Sequence, residues 1–282
     1  MSLNWIAGNW NAGNWNAGNR VAALVLRQFY LYRGSPARVL PLFAWVAIDI
    51  VLWGFISKYL NSVARSGFNF VPALLGAVLL WDFMVRVMQG VTTAFFEDVW
   101  SRNFLNVFAT PLTIPEYVGG LVLSSILTSS LGLVAMIVLA STVFGLSFFL
   151  YGAMLIPFLL VLFLSGISLG ILGSAIVLRM GPAAEWFIWP IPALLSPFAG
   201  VFYPLSTLPG WMRFVSRLLP ASYIFEGLRA LISGGTVALG ALVWGGGLAV
   251  FYLLLVSWLF TRIYRHAVRT GLIARYSAET VS

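Results

Sequence analysis

Long apolar runs alternate with short polar breaks along this chain, and six of them predict membrane spans, at about 39–57, 70–95, 118–143, 148–178, 186–203 and 238–261. Each is near or above the roughly 20 residues that cross about 30 Å of hydrocarbon. Lipid satisfies no backbone hydrogen bonds and a helix satisfies its own, so unbroken runs of this length predict helices; a membrane β-barrel would show short alternating segments instead. Ahead of the first run, residues 20–33 read as an amphipathic helix. Val21, Leu24, Val25, Phe29 and Tyr32 share one face, while Arg20, Arg27 and Arg33 fall elsewhere. That pattern suits a helix lying in the interface plane. Gly34, Ser35 and Pro36 break it. The stretch 203–236 is semi-apolar and interrupted by Pro204, Pro209 and Pro220. It predicts two short helices dipping back towards the membrane. The expected fold is therefore an all-α membrane protein: six transmembrane helices preceded by an interfacial amphipathic helix, with a re-entrant helical hairpin between spans 5 and 6.

Composition agrees. The chain is 61% hydrophobic and 9% charged, where soluble domains average about 25% charged. It has no cysteine, which removes disulfides, thiol chemistry and the commonest structural zinc ligand. The formal net charge is +8, and a nucleic-acid partner is one reading of it. The placement of the arginines favours span-flanking anchors instead, with no nucleic acid involved. With a cytoplasmic N-terminus, that side holds Arg20, Arg27, Arg33, Arg38, Arg102, Arg179, Arg262, Arg265, Arg269 and Arg275, and the far side holds Lys58, Arg65, Arg213, Arg217 and Arg229. The positive-inside rule then puts both termini in the cytoplasm. No basic residue precedes Arg20, so the start does not read as a cleaved signal peptide. Residues 1–19 form a low-complexity tail, with Asn-Trp at Asn4, Asn9 and Asn14. Residues 276–282 form a second tail.

Catalytic equipment is scarce. A phosphate-binding P-loop needs Gly-Lys followed by Ser or Thr. The one lysine, Lys58, follows Gly54-Phe55-Ile56-Ser57 and precedes Tyr59. His266 is the one histidine and sits among Arg262, Arg265 and Arg269, so no metal set is expected. The spans hold three charges, Asp49, Asp82 and Arg86. Such residues face a bundle interior or water. Asp82 and Arg86 are four apart and share one helix face. They read either as a polar site on a conduction path or as a structural pair. Glu97, Asp98 and Arg102 open the polar connection 96–117, a solvated loop or a docking segment. Glu226 and Arg229 stand one turn apart in the broken stretch and can pair.

This order of parts, and two motifs, resemble the permease subunit of type-2 ABC exporters, the family of drug, nodulation-factor and polysaccharide export permeases. The more specific motif runs Ser196-Pro197-Phe198-Ala199-Gly200-Val201-Phe202-Tyr203-Pro204-Leu205, then Leu208-Pro209-Gly210-Trp211, Leu219-Pro220-Ala221-Ser222-Tyr223 and Glu226-Gly227-Leu228-Arg229. Thr110-Pro111-Leu112-Thr113, Glu116 and Gly119-Gly120 resemble the end of the family's cytoplasmic coupling segment. The usual Arg-Glu-x-Gly-Thr ahead of it is replaced by Glu97 to Leu105. The resemblance covers about 20–275 as one transmembrane domain. It implies a permease dimer forming the translocation pathway in a bacterial inner membrane, with two separate ATPase subunits below. ATP and magnesium would sit on those partners, with no cofactor on this chain. Glu97, Asp98, Trp100, Arg102 and Phe104 would couple to the ATPase. Gly200, Pro204, Pro209, Trp211, Pro220, Tyr223, Glu226 and Arg229 would shape the external hairpin.

Two other classes compete. An intramembrane lipid- or glycan-processing enzyme would need clustered charges at one membrane face, and a channel would want more polar spans or broken helices in both halves. The substrate expected for an exporter is a lipid-linked glycan or a hydrophobic small molecule.

Overall fold

The computed structural model describes residues 16–64, 69–101, 106, 107 and 110–271, which are helical or in short turns, with no strand among them. The Asn-Trp repeats before residue 16, Arg65, Arg102, Phe104, Arg275 and the tail 276–282 lie outside the described residues. Helix α1 (Ala17–Arg33) begins three residues before the boundary expected from the repeat, because the Asn16 side chain caps it by accepting from the Asn19 amide at 2.9 Å. The long helices are α2 (Pro36–Val63), α3 (Gly76–Trp100, preceded by a π-helical turn at Val71–Leu75), α4 (Ile114–Phe144), α5 (Leu155–Met180) and α9 (Leu239–Arg269). With the turns that lead into α3 and α5, these five are long and apolar enough to cross a membrane. Helix α4 starts on a capping box: Glu116 accepts from the Thr113 amide at 2.8 Å, and Thr113 in turn caps the first turn.

The expected fifth span, 186–203, is not one continuous helix. Gly181 ends α5 at φ +99°, the segment Pro182–Phe187 is a 3-10 helix, and α6 (Ile191–Ala199) has nine residues. Nine residues reach about 14 Å. Pro190, Pro192 and Pro197 explain the break: each removes a backbone donor, and Pro197 lies inside α6. After Gly200 the chain makes a short 3-10 turn at Leu205–Thr207 and the two short helices anticipated from the prolines, α7 (Gly210–Ser216) and α8 (Pro220–Ile232).

The long helices pack as a row, α2 on α4, α4 on α3, α3 on α5 and α5 on α9, with α1 laid across α4. Helix α3 is central: 72% of its most apolar window is buried, against 19% for α2 and 17% for α9. Small residues allow the close α3–α5 approach. A Cβ at Gly166 would lie 2.5 Å from the Met84 carbonyl, and one at Gly170 would lie 2.6 Å from Val91. Ser125 of α4 donates to the Val87 carbonyl of α3 at 2.8 Å.

Contacts define two ends of the bundle. At one, Arg38 meets Glu97, Trp100 meets Glu185, and Phe95 packs on Tyr117 and Phe260. At the other, Asn61 meets Asn69, Lys58 lies over Phe144, and Tyr151 donates to the Pro72 carbonyl at 2.8 Å. Glu185 is thus at the first end, while Phe202 stacks on Trp53 at 4.9 Å, well towards the second.

Candidate functional site

Helix α1 is fastened to both ends of the 96–117 connection. Arg20 forks onto Glu116 of α4, with bonds of 3.0 and 2.6 Å. Two turns on, Arg27 pairs with Asp98 at the end of α3, whose other oxygen accepts from the Tyr117 hydroxyl at 2.8 Å. Gln28 donates to the Ala94 carbonyl, and Leu24 packs on Gly120. The protein-facing stripe is therefore Arg20, Leu24, Arg27 and Gln28. Two of the arginines expected to face away from the bundle turn towards it, while Phe29 of the anticipated apolar face is exposed. Bidentate and charge-assisted bonds of this kind are the strong ones.

Glu97 pairs with Arg38 at the start of α2 at 3.3 Å, and the Trp100 indole donates to Glu185 at 2.8 Å. Asp98 is buried and reaches no surface. Of the expected coupling residues, Glu97, Asp98 and Trp100 are thus engaged within the bundle, and Arg102 and Phe104 lie outside the described residues.

Between α1, α2 and α3 lies a cavity of about 700 Å³. Asp82, Arg86, Gln89, Thr93 and Glu97 line it from α3, at spacings of four, three, four and four. That is one polar stripe along a helix. Asp49 and Trp45 face it from α2, Thr128 from α4, and Trp100 and Trp189 stand near its Glu97 end. Asp49, Asp82 and Arg86 lie within electrostatic reach of one another, and the buried Oδ2 of Asp82 has no hydrogen-bond partner. The Asp82 and Arg86 spacing was legible in the sequence, but Glu97 reads there as part of the polar connection, and only the continuation of α3 to Trp100 adds it to the stripe. The contributions of Trp45, Trp189 and Thr128 were not legible, because they depend on how the helices pack.

At the opposite end, Arg229 of α8 binds Glu226 at 3.0 Å and also donates to the carbonyls of Gly200 and Val201, while Glu226 accepts from the Leu205 amide at 2.9 Å. The expected pair is present, and it also holds the turn after α6. Burial lowers the Arg229 pKa and Glu226 opposes this; a guanidinium stays charged throughout. Gly200 sits at φ +74°, where a Cβ would lie 2.9 Å from Leu205. Pro204 precedes the 3-10 turn, Pro209 caps α7, and Pro220 opens α8. Trp211 is exposed with its ring 6.2 Å from Phe198, and Tyr223 donates to the Arg217 carbonyl at 2.9 Å. No group of three metal-binding side chains exists among the described residues.

No curated protein matches the chain in a sequence comparison. A family model, however, matches residues 19–233, from α1 through the cavity-lining helices to the end of α8. That match covers most of the molecule and carries the functional elements described above: this multi-pass membrane protein belongs to the ABC-2 type transporter family, whose membrane domains work with an ABC ATPase.

Proposed function

We propose that the chain is the permease subunit of an ATP-driven exporter, working as a homodimer with two separate ATPase subunits. It carries no ATPase of its own; ATP and magnesium are held on the partners. The observation that carries this reading is the double fastening of α1. Asp98 and Glu116 stand near the two ends of the cytoplasmic connection, and Arg27 and Arg20 tie one helix to both. A push on that connection therefore moves α1 as a lever, and Tyr32 at the end of α1 borders the cavity. Glu97 and Trp100 sit at the same mouth. They pass the motion to α2 through Arg38 and to the 3-10 segment through Glu185.

The same reading takes the bundle as six crossings with both termini cytoplasmic in a bacterial inner membrane. The return from Glu185 to Phe202 supports this, with the fifth crossing made by the broken segment. So does the charge distribution: Arg20, Arg27, Arg33, Arg38, Arg179, Arg262, Arg265 and Arg269 fall at the Glu97 end, and Lys58, Arg213, Arg217 and Arg229 at the other. The helices α7 and α8 form the external re-entrant hairpin, braced by Glu226 and Arg229. The transported molecule is a lipid-linked glycan or a hydrophobic small molecule, either of which the aromatic side chains along the bundle accommodate.

The test is co-purification with the ATPase encoded beside the chain, recording stoichiometry and ATP turnover. A two-plus-two complex whose turnover drops several-fold in Glu97→Ala and Trp100→Ala is the expected outcome. A chain that remains alone overturns the proposal and favours a channel or an intramembrane enzyme.

A further inference from the structure

The charges around the cavity do not balance. Among the described lining residues, Asp49, Asp82 and Glu97 face Arg38 and Arg86, three acids against two bases. Arg38 and Glu97 pair at the mouth. Deeper in, two carboxylates share the field of a single guanidinium. An uncompensated negative charge at that depth is costly unless something positive joins it. One acceptor also stands ready: Asp82 Oδ2 is buried, has no hydrogen-bond partner and belongs to a residue lining the cavity. Trp45 stands one turn from Asp49 on the same wall, and Trp100 and Trp189 border the cavity further along, at its Glu97 mouth. Indole faces attract cations, most strongly where water is excluded. The volume of about 700 Å³ suits a drug-sized molecule.

We infer that this cavity recognises an amphipathic organic monocation, its charge held near Asp82 and Asp49 and its apolar body against Trp45. A neutral or anionic ligand leaves the deep carboxylates to be balanced by a proton alone, and Gln89, Thr93 and Thr128 offer hydrogen bonds to polar substituents but no positive charge. The inference deepens the exporter reading by naming its substrate class, and it rests on that reading for the direction of transport. The same chemistry could come from a free cation or from the ammonium of a membrane lipid.

The probe is tetraphenylphosphonium, whose charge is permanent, bound to the purified chain in phosphatidylglycerol nanodiscs, with empty discs subtracted. Saturable binding is expected, weakened at least tenfold in Asp82→Asn. Trp45→Ala gives a second reading, because Trp45 is 63% exposed and its removal leaves the fold intact; a several-fold loss is expected. Neutral triphenylphosphine oxide should bind at least tenfold more weakly. Equal binding of the neutral compound, or unchanged binding in both variants, overturns the inference and leaves a proton as the balancing charge. Adding lysyl-phosphatidylglycerol, a lipid whose headgroup carries a net positive charge, separates the sources: competition identifies a lipid ammonium as the occupant, and no competition identifies a free cation. The measurement needs no ATPase. A chain that binds the cation but never assembles overturns the exporter alone, and an assembled, active complex that ignores the cation overturns the cation site alone.

Discussion

Arg27 and Asp98 are 71 positions apart, yet they meet at the end of α3 with Tyr117 completing the group. Removing one member of a buried pair leaves the other without its partner, which is the destabilising half of such an interaction. Asp98 is 1% exposed, so Arg27→Ala strands a buried carboxylate with only the Tyr117 hydroxyl. The expected cost is about 2–3 kcal/mol, read as a lower unfolding temperature in detergent and faster hydrogen exchange over 17–33. Arg38→Ala should cost about 1 kcal/mol or less, because the Arg38 side chain is 38% exposed and its ion pair is longer. Equal effects from the two substitutions would contradict the latch. The acidic partners, Asp98 and Glu116, were visible in the sequence as part of the connection. Their pairing was not, because the positive charge comes from a helix whose arginines looked outward by pattern alone.

At the scale of elements, the α3–α5 contact depends on missing side chains. Gly166 and Gly170 let the two backbones approach, and without a hydrophobic drive in lipid such close packing is what joins helices. Gly170→Leu should destabilise the protein by about 1–3 kcal/mol, measured as loss of monodisperse protein on heating. Gly247→Ala on α9 is the matched control, since nothing lies within 4 Å of a Cβ there, and it should be near neutral. The run 186–203 teaches the complementary lesson. Its apolar content predicts a span, but Pro190, Pro192 and Pro197 prevent one helix from forming across it. Length and hydropathy place a segment in the membrane; backbone donors decide whether it stays helical.

For the whole molecule, topology is the direct question. The chain contains no cysteine, so single cysteines give a clean background. Ser35→Cys and Thr270→Cys should react with an impermeant maleimide only from the cytoplasmic face of inner-membrane vesicles. Ser206→Cys and Gly234→Cys should react only from the opposite face. Labelling of Ser35→Cys and Thr270→Cys from opposite sides would refute six crossings. The largely exposed flanks of α2 and α9 are consistent with lipid or a second subunit around the bundle.

Read alone, the sequence determined the class of solvent, the helical nature of the long runs, the α1 period, the broken stretch before α9 and the shared face of Asp82 and Arg86. These are local properties: apolar length, helical spacing and the missing donor of proline act within a few turns. The sequence also carried the motifs that resemble the ABC-2 family. Tertiary structure decided what remained. It turned Arg20 and Arg27 inward onto Glu116 and Asp98, gathered Asp49, Asp82 and Arg86 around one cavity with tryptophans from three separate segments, and set Arg229 against the turn at Gly200. A charge or ring has no preferred partner until packing brings one within a few ångströms, and Coulomb and hydrogen-bond energies are decided at that distance.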